Sequence, residues 1–418
     1  MKTMGYKREP ARKGLQTGFI HSLVVVMVTL VAAGVMQAQT PLGPEFHANS
    51  SGKYPPVYQV VGFSAGGDFL VVWQEITPDG KHDGLWGQWF SPSGEPLGKN
   101  LLLRVKKGAV YGPAVAPGAH GGVLILWHEI PYNPFGPWEV LIGGELLPDG
   151  SWFLPPRYVT FLGSLAARFA SPLPQGGYAI TLLGSRPRHF VENRTILLLT
   201  DDNLKVIRGP SPVSPAPKSS QEVGGLAMSP SGRFLVTWTQ AESTVLAQIF
   251  SPAGRPLAKA FTVPAGGPEQ QYAGAAAPLA DKGYVIVWSK NLTEEQTPDL
   301  LLRLFKPDGT PQGPDLRLDP EIRFRGLQEV ASDATGNFLV VWQEGDIGWD
   351  IWGRLYHSDG TPYGPKVRLN QHTINDQTNA QVAAGPNGTF VVVWQSTGQD
   401  NGDDGIYGRI FAVPPSGR

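Results

Sequence analysis

The sequence predicts an all-β chain folded as a seven-bladed β-propeller of four-stranded antiparallel blades, closed by the N-terminal strand completing the last blade. Three observations predict it. A short apolar run ending in a large side chain recurs seven times at nearly constant spacing. The 52 Gly and 39 Pro are spread between short apolar runs, as many turns require, and no stretch beyond the N-terminus keeps a 3.6-residue apolar period. Finally, the seventh copy stops early, and the N-terminal segment carries what it lacks.

The recurring run is "GDFLVVWQ" (Gly67–Gln74), "GVLILWHE" (Gly122–Glu129), "GYAITLLG" (Gly177–Gly184), "GRFLVTWT" (Gly232–Thr239), "GYVIVWSK" (Gly283–Lys290), "GNFLVVWQ" (Gly336–Gln343) and "GTFVVVWQ" (Gly388–Gln395). Its anchor is Trp73, Trp127, Leu183, Trp238, Trp288, Trp342 and Trp394, with spacings of 54, 56, 55, 50, 54 and 52. A second strand follows each anchor, among them "GLWGQWF", "DIWGRLY" and "GIYGRIF". Turns such as "SPSGEPLG", "KPDGTPQG" and "HSDGTPYG" come next, with Asp-Gly or Ser-Gly ahead of Pro. A third strand ("KVRLN", "DLRLD", "AFTVP") and a weaker fourth ("AQVAAG", "GLAMSP", "GPAVAP") complete a meander the size of one propeller blade. The segment "TPLGPEFHANSSGKYPPVYQV" matches "TPYGPKVRLNQHTINDQTNAQV" of the blade before the last, so it supplies the strand that copy seven lacks. Such an overlap closes the ring by hydrogen bonds and removes open sheet edges.

The units resemble those of exported bacterial repeat proteins, a loosely defined group of propellers reading G-x-F-V-V-V-W-Q, an Asp/Gly-rich hairpin and I-Y-G-R-x-F. Copies six and seven match best, and copy three departs most, with Leu183 at the Trp position. The resemblance implies the fold and an extracytoplasmic setting, and it implies no particular activity.

Residues 1–38 read as a signal peptide: a basic segment precedes the apolar Leu23–Met36, too short to span a bilayer, and "MQAQT" follows. An uncleaved anchor is the rival reading. Removing the segment takes away five positive charges and one negative, moving the net charge from −1 to −5. An acidic exported domain, residues 39–418, is a poor partner for nucleic acid or anionic membranes. It is expected to be secreted, periplasmic or held at the cell surface, without stable membrane insertion. The absence of Cys excludes disulfides, thiol catalysis and Cys-based zinc sites.

The short Gly-rich turns fall on one face of such a ring, and the irregular loops after each Trp and before each inner strand fall on the other, where binding usually resides. On that face Glu344, Asp346 and Asp350, then Asp400, Asp403 and Asp404, then Glu75, Asp79 and Asp83 form an acidic arc over three neighbouring blades, opposed by Arg186, Arg188 and Arg194. Glu75, Glu129 and Glu344 share the position two residues past the anchor, which makes them candidate ligand-binding residues. Solvated hairpin tips explain the same charges.

The gap "QDNGDDG" places Asp400, Asp403 and Asp404 together, but a calcium loop needs alternate oxygens and a distant bidentate Glu, and Gly402 and Phe411 stand there instead. A hairpin turn is preferred to a calcium site, and no other cofactor is expected. "GFSAG" around Ser64 fits the nucleophile elbow in letters only, since no helix follows it. "HEIPY" has Tyr132 in place of the second zinc-protease His. "RGPSPVSPAPKSSQE" (Arg208–Glu222) reads as an extended surface loop. The leading expectation is a non-enzymatic propeller binding a protein or glycan on its irregular face. A carbohydrate-active hydrolase or lyase using paired carboxylates, and a purely structural surface component, are the alternatives.

Overall fold

The computed structural model describes residues 39–418 except 51–53, 77–81, 105–109, 131–138, 163, 187–188, 215–219, 241–243, 267–270, 291–298, 319–323, 346–347, 401 and 415–418. Seven antiparallel sheets form the seven blades. The inner strands are Pro56–Phe63, Val110–Pro117, Ser164–Pro172, Gln221–Met228, Gln271–Pro278, Phe324–Ser332 and Gln377–Ala384. Each pairs with the strand that carries the anchor, from Phe69–Ile76 in blade one to Thr389–Asp400 in blade seven. A third strand and an outer strand follow in every blade.

Why this pattern makes a ring is clear from what it buries. All six anchor tryptophans have no exposed surface, while Leu183 is partly exposed. Burying a Trp removes on the order of 150–250 Å² from water, several kcal/mol each by area. The core is divided: every buried cluster joins two neighbouring blades, and the clusters together cover all seven interfaces. One of them joins Val391, Val393 and Ile410 of blade seven to Phe69, Trp73 and Phe90 of blade one. The ring is therefore closed.

The closing strand is the N-terminal segment. Thr40 pairs with Ala412, Pro41 with Phe411, Phe46 with Gly408 and His47 with Tyr407. The Ala48 amide donates to the Ile406 carbonyl at 2.8 Å. An arginine on the third strand repeats the same message. In blades five, six and seven, Arg303, Arg354 and Arg409 each donate through Nε to the carbonyl of Gly313, Gly364 and Gly43, in or beside the outer strand, at 3.0, 2.9 and 2.8 Å. Through Nη1 they reach back to Val263, Leu318 and Leu369 of the preceding blade. Gln88 and Gln248 take the place of this arginine in blades one and four and reach the carbonyls of Leu97 and Ala258. Gly43 thus stands in blade seven where Gly313 and Gly364 stand in blades five and six.

One expectation needs correction. The first part of the Pro/Ser-rich stretch is no loop: Val206–Pro212 is the outer strand of blade three, with Ser211 paired to Leu197 and Arg208 to Leu199. An outer strand tolerates Pro because one row of its backbone groups faces solvent. At the stretch's other end Gln221 already opens the inner strand of blade four.

Candidate ligand site at the channel mouth

The inner strands do not run straight to the irregular face. Each carries a register shift near its start, as between Val57 and Val60, Tyr111 and Ala114, and Thr378 and Gln381. Such bulges turn side chains out of the ladder and into the channel. Tyr58, Gly112 and Asn379 have φ of 53°, 51° and 56°, a region that Gly and Asn enter with least cost and that strains Tyr.

In blades one, two and six the residue after the anchor holds the bulge of the next blade. Gln74 Oε1 accepts from the Gly112 amide at 2.9 Å, and Gln343 Oε1 accepts from the Asn379 amide at 2.8 Å. In blade two this residue is His128, whose Nε2 accepts from the Ala167 amide. A nitrogen that accepts cannot carry a proton. Burial, helped by the charge of Arg168, accordingly pushes His128 down to about 4.

These bulges frame a cavity of about 480 Å³ at the channel mouth. Tyr58 and Gln59 of blade one, Tyr111 and Glu139 of blade two, Arg168 of blade three, Glu329 of blade six, and Asn379 and Gln381 of blade seven line it. Glu329 is partly covered, and its carboxyl is pushed up to about 7 by burial, against the opposing pull of the Gln381 amide at 3.4 Å and of the Arg168 charge. Burial and the charge of Glu139 raise the Tyr111 hydroxyl above its usual value. A second cavity, of about 520 Å³, lies at the opposite end of the channel. Pro117, Pro172, Pro174, Pro230 and Pro278 line it, and its one carboxylate, Asp333, is consumed by Thr335 and Asn337 in its own turn. The chemistry lies at the mouth.

No protein-family model matches the chain, and no curated protein matches it. Solved structures do. A protein of unknown function from Dyadobacter fermentans DSM 18053 superposes with a TM-score of 0.56 at 11% identity, covering 90% of this chain and 99% of that one. An ulvan lyase of polysaccharide lyase family 25 gives a TM-score of 0.54 at 11% identity, covering 90% and 96%. The Hadza microbial sialidase Hz136 gives 0.50 at 9% identity, covering 86% and 66%. Identities this low carry the propeller fold and nothing further.

The carboxylates singled out from sequence stand elsewhere. Glu129 is buried, accepts from the indole of its own anchor Trp127 at 3.0 Å, and pairs with Arg104 at 2.7 Å. Glu344 does the same with Trp342 at 2.9 Å and Lys366 at 2.6 Å. Glu75 is buried at the matching place in blade one. In blades two and six the shared position therefore caps the anchor's indole N–H, in blade one the Trp73 indole N–H stays unbonded among the described residues, and none of the three carboxylates lines the cavity. Asp350 accepts from Asn370 at 2.6 Å and lies 3.5 Å from Arg368. Asp400 and Asp403 face each other across the tip of a hairpin whose turn contains Gly402 at φ 99°, so the gap in blade seven is a turn. Asp400 also lies 3.6 Å from His47 of the closing strand. Asp404 follows in the third strand. Among the described residues, no three His, Asp or Glu side chains gather as a metal site. Asp79, Asp346 and Arg188 lie outside the described residues, as do the side chains of Asp83 and Arg186. Ser64 is buried in the turn before the anchor strand, its amide bonded to the Asp68 carbonyl.

The cavity residues left a faint sequence signal. Residues paired opposite the position before the anchor form one column around the channel: Val60, Ala114, Gly225, Ala275, Glu329 and Gln381, with Arg168 in the bulge of blade three. A carboxylate, an amide and a guanidinium interrupt a column otherwise small or apolar.

Proposed function

We propose that this propeller works outside the cytoplasm and binds a glycan in the channel-mouth cavity. One observation carries the reading: five blades send polar and aromatic side chains into one concavity of about 480 Å³, within the range of small-ligand sites and far from the flat area a protein partner needs. Tyr58, exposed at the mouth, offers a ring face to sugar C–H groups. Gln59, Arg168, Asn379 and Gln381 offer donors and acceptors for hydroxyls. The likeness to a polysaccharide lyase and a sialidase is consistent with this reading at the level of fold alone. The basic and apolar N-terminus supports export.

A glycan array probed with the purified protein tests it. Binding to a defined set of glycans, weakened at least tenfold by Gln381→Ala or Tyr58→Ala, is the expected result. Retention of no glycan overturns it.

A hydrolase or lyase is the second reading, and Glu329 favours it: a carboxyl held at about 7 keeps its proton near neutral pH, as a general acid must. Glu139 is the second carboxylate in the same cavity. New reducing or unsaturated ends released from a bound glycan, and lost in Glu329→Gln, decide for catalysis.

A further inference from the structure

Several described cations of this chain have fixed partners, and the one that lines the cavity does not. Arg104, Arg317, Lys366 and Arg368 pair with Glu129, Asp299, Glu344 and Asp350. Arg303, Arg354 and Arg409 clamp backbone carbonyls between blades. Arg168 does neither. It is exposed in the cavity wall, and no described carboxylate lies within 4 Å of its guanidinium.

Its surroundings leave that charge standing. His128 beneath it is neutral, because its Nε2 accepts from the Ala167 amide. Glu329, which feels the Arg168 charge, is protonated below about 7. Glu139 is the remaining carboxylate, set beside Tyr111, and Tyr58 completes the titratable groups that face the cavity.

We infer that the bound glycan presents a carboxylate, as a uronic acid does, to the Arg168 fork, with the Glu329 carboxyl donating a second hydrogen bond across the channel. This rests on the glycan reading and narrows it. The planar guanidinium matches a carboxylate with two parallel hydrogen bonds. A neutral sugar would leave the cation without a counter-charge. The protonated Glu329 adds a donor that an acidic ligand needs and removes the repulsion that its ionised form would exert.

The same purified protein, with Arg168→Gln and Glu329→Gln, is to be probed on an array of carboxylated, sulfated and neutral glycans at pH 5.5 and pH 8.5. Carboxylated glycans are expected to be retained, at least tenfold more weakly by Arg168→Gln. Wild-type binding is expected to weaken about tenfold between the two pH values as Glu329 ionises. Glu329→Gln keeps a donor at every pH, so its binding should be flat with pH. Retention of neutral glycans alone, or indifference to Arg168→Gln, overturns the inference and leaves the glycan reading standing. Retention of sulfated glycans alone overturns the carboxylate. Retention of none overturns both. Should a variant fail to fold, wild-type binding to a glucuronate oligomer against its methyl ester decides alone, equal affinity being the adverse result.

Discussion

The clasp that closes the ring is open to a quantitative test at Phe46 and Gly408. The Phe46 ring reaches between blades seven and one, 5.5 Å from the Phe69 ring and 4.6 Å from the Phe90 ring by centroids. It lies against Gly408, where an added Cβ would stand 2.4 Å from Cζ and 2.8 Å from Cε2 of that ring, and 2.9 Å from Val393. Truncating a fully buried Phe costs about 3–5 kcal/mol. Phe46 is partly buried, so Phe46→Ala should cost about 2–3 kcal/mol. Gly408→Ala leaves the ring no room and should cost about 2–3 kcal/mol, the upper range for overpacking. In the Phe46→Ala background most of that clash is gone and only Val393 resists, so the two costs should fall short of additive by about 1–2 kcal/mol. Gly43→Ala, with nothing within 4 Å of its new Cβ, is the neutral control. Urea unfolding followed by tryptophan fluorescence measures all four, as midpoint shifts at unchanged slope. Costs for Phe46→Ala and Gly408→Ala that add within about 0.5 kcal/mol would refute the packing of the clasp, and with it the closure described above.

Two further outcomes follow from the same structure. His128 is neutral when folded, at about 4, and titrates near 6.5 when unfolded, so the unfolded chain binds the extra proton between those values. Its contribution is intact above about pH 6.5 and is lost as pH falls to about 4, a drop of about 3 kcal/mol; His128→Gln, which keeps an acceptor as Gln74 and Gln343 do, should remove that dependence in urea titrations across this window. Gly283, at φ 122°, would place a Cβ 1.8 Å from the Phe305 carbonyl oxygen, so Gly283→Ala should cost at least about 3 kcal/mol by urea midpoint, and a neutral result would contradict the turn geometry.

Much of the fold was legible because the same physical task recurs. A Trp buried between blades leaves the same letter at the same interval, and the match of the N-terminal segment to "TPYGPKV" predicted the closing strand, in which the structure sets Gly43 against Arg409 and pairs Phe46 with Gly408. The site was not legible in the same way. Glu129 and Glu344 share a repeat position, which in sequence looks like convergence on one ligand; in space a repeated position is repeated around the ring, and each carboxylate serves its own indole. Arg168 and Glu329 are brought to one cavity by bulges in inner strands whose small, weakly patterned residues, as in "AARFASP" and "LQEVASD", carry little periodicity. The outer strand of blade three was hidden by its prolines, which only an edge position tolerates.

The way the bulges are fastened separates what must stay from what is at liberty to change. Gln74, His128 and Gln343 grip the main chain at residues 112, 167 and 379 and ask nothing of the side chains there. The rim of the channel is thus a set of interchangeable teeth on a rigid mount. A new selectivity could arise by swapping a few of them while the tryptophans and the arginine clamps go on holding the wheel together.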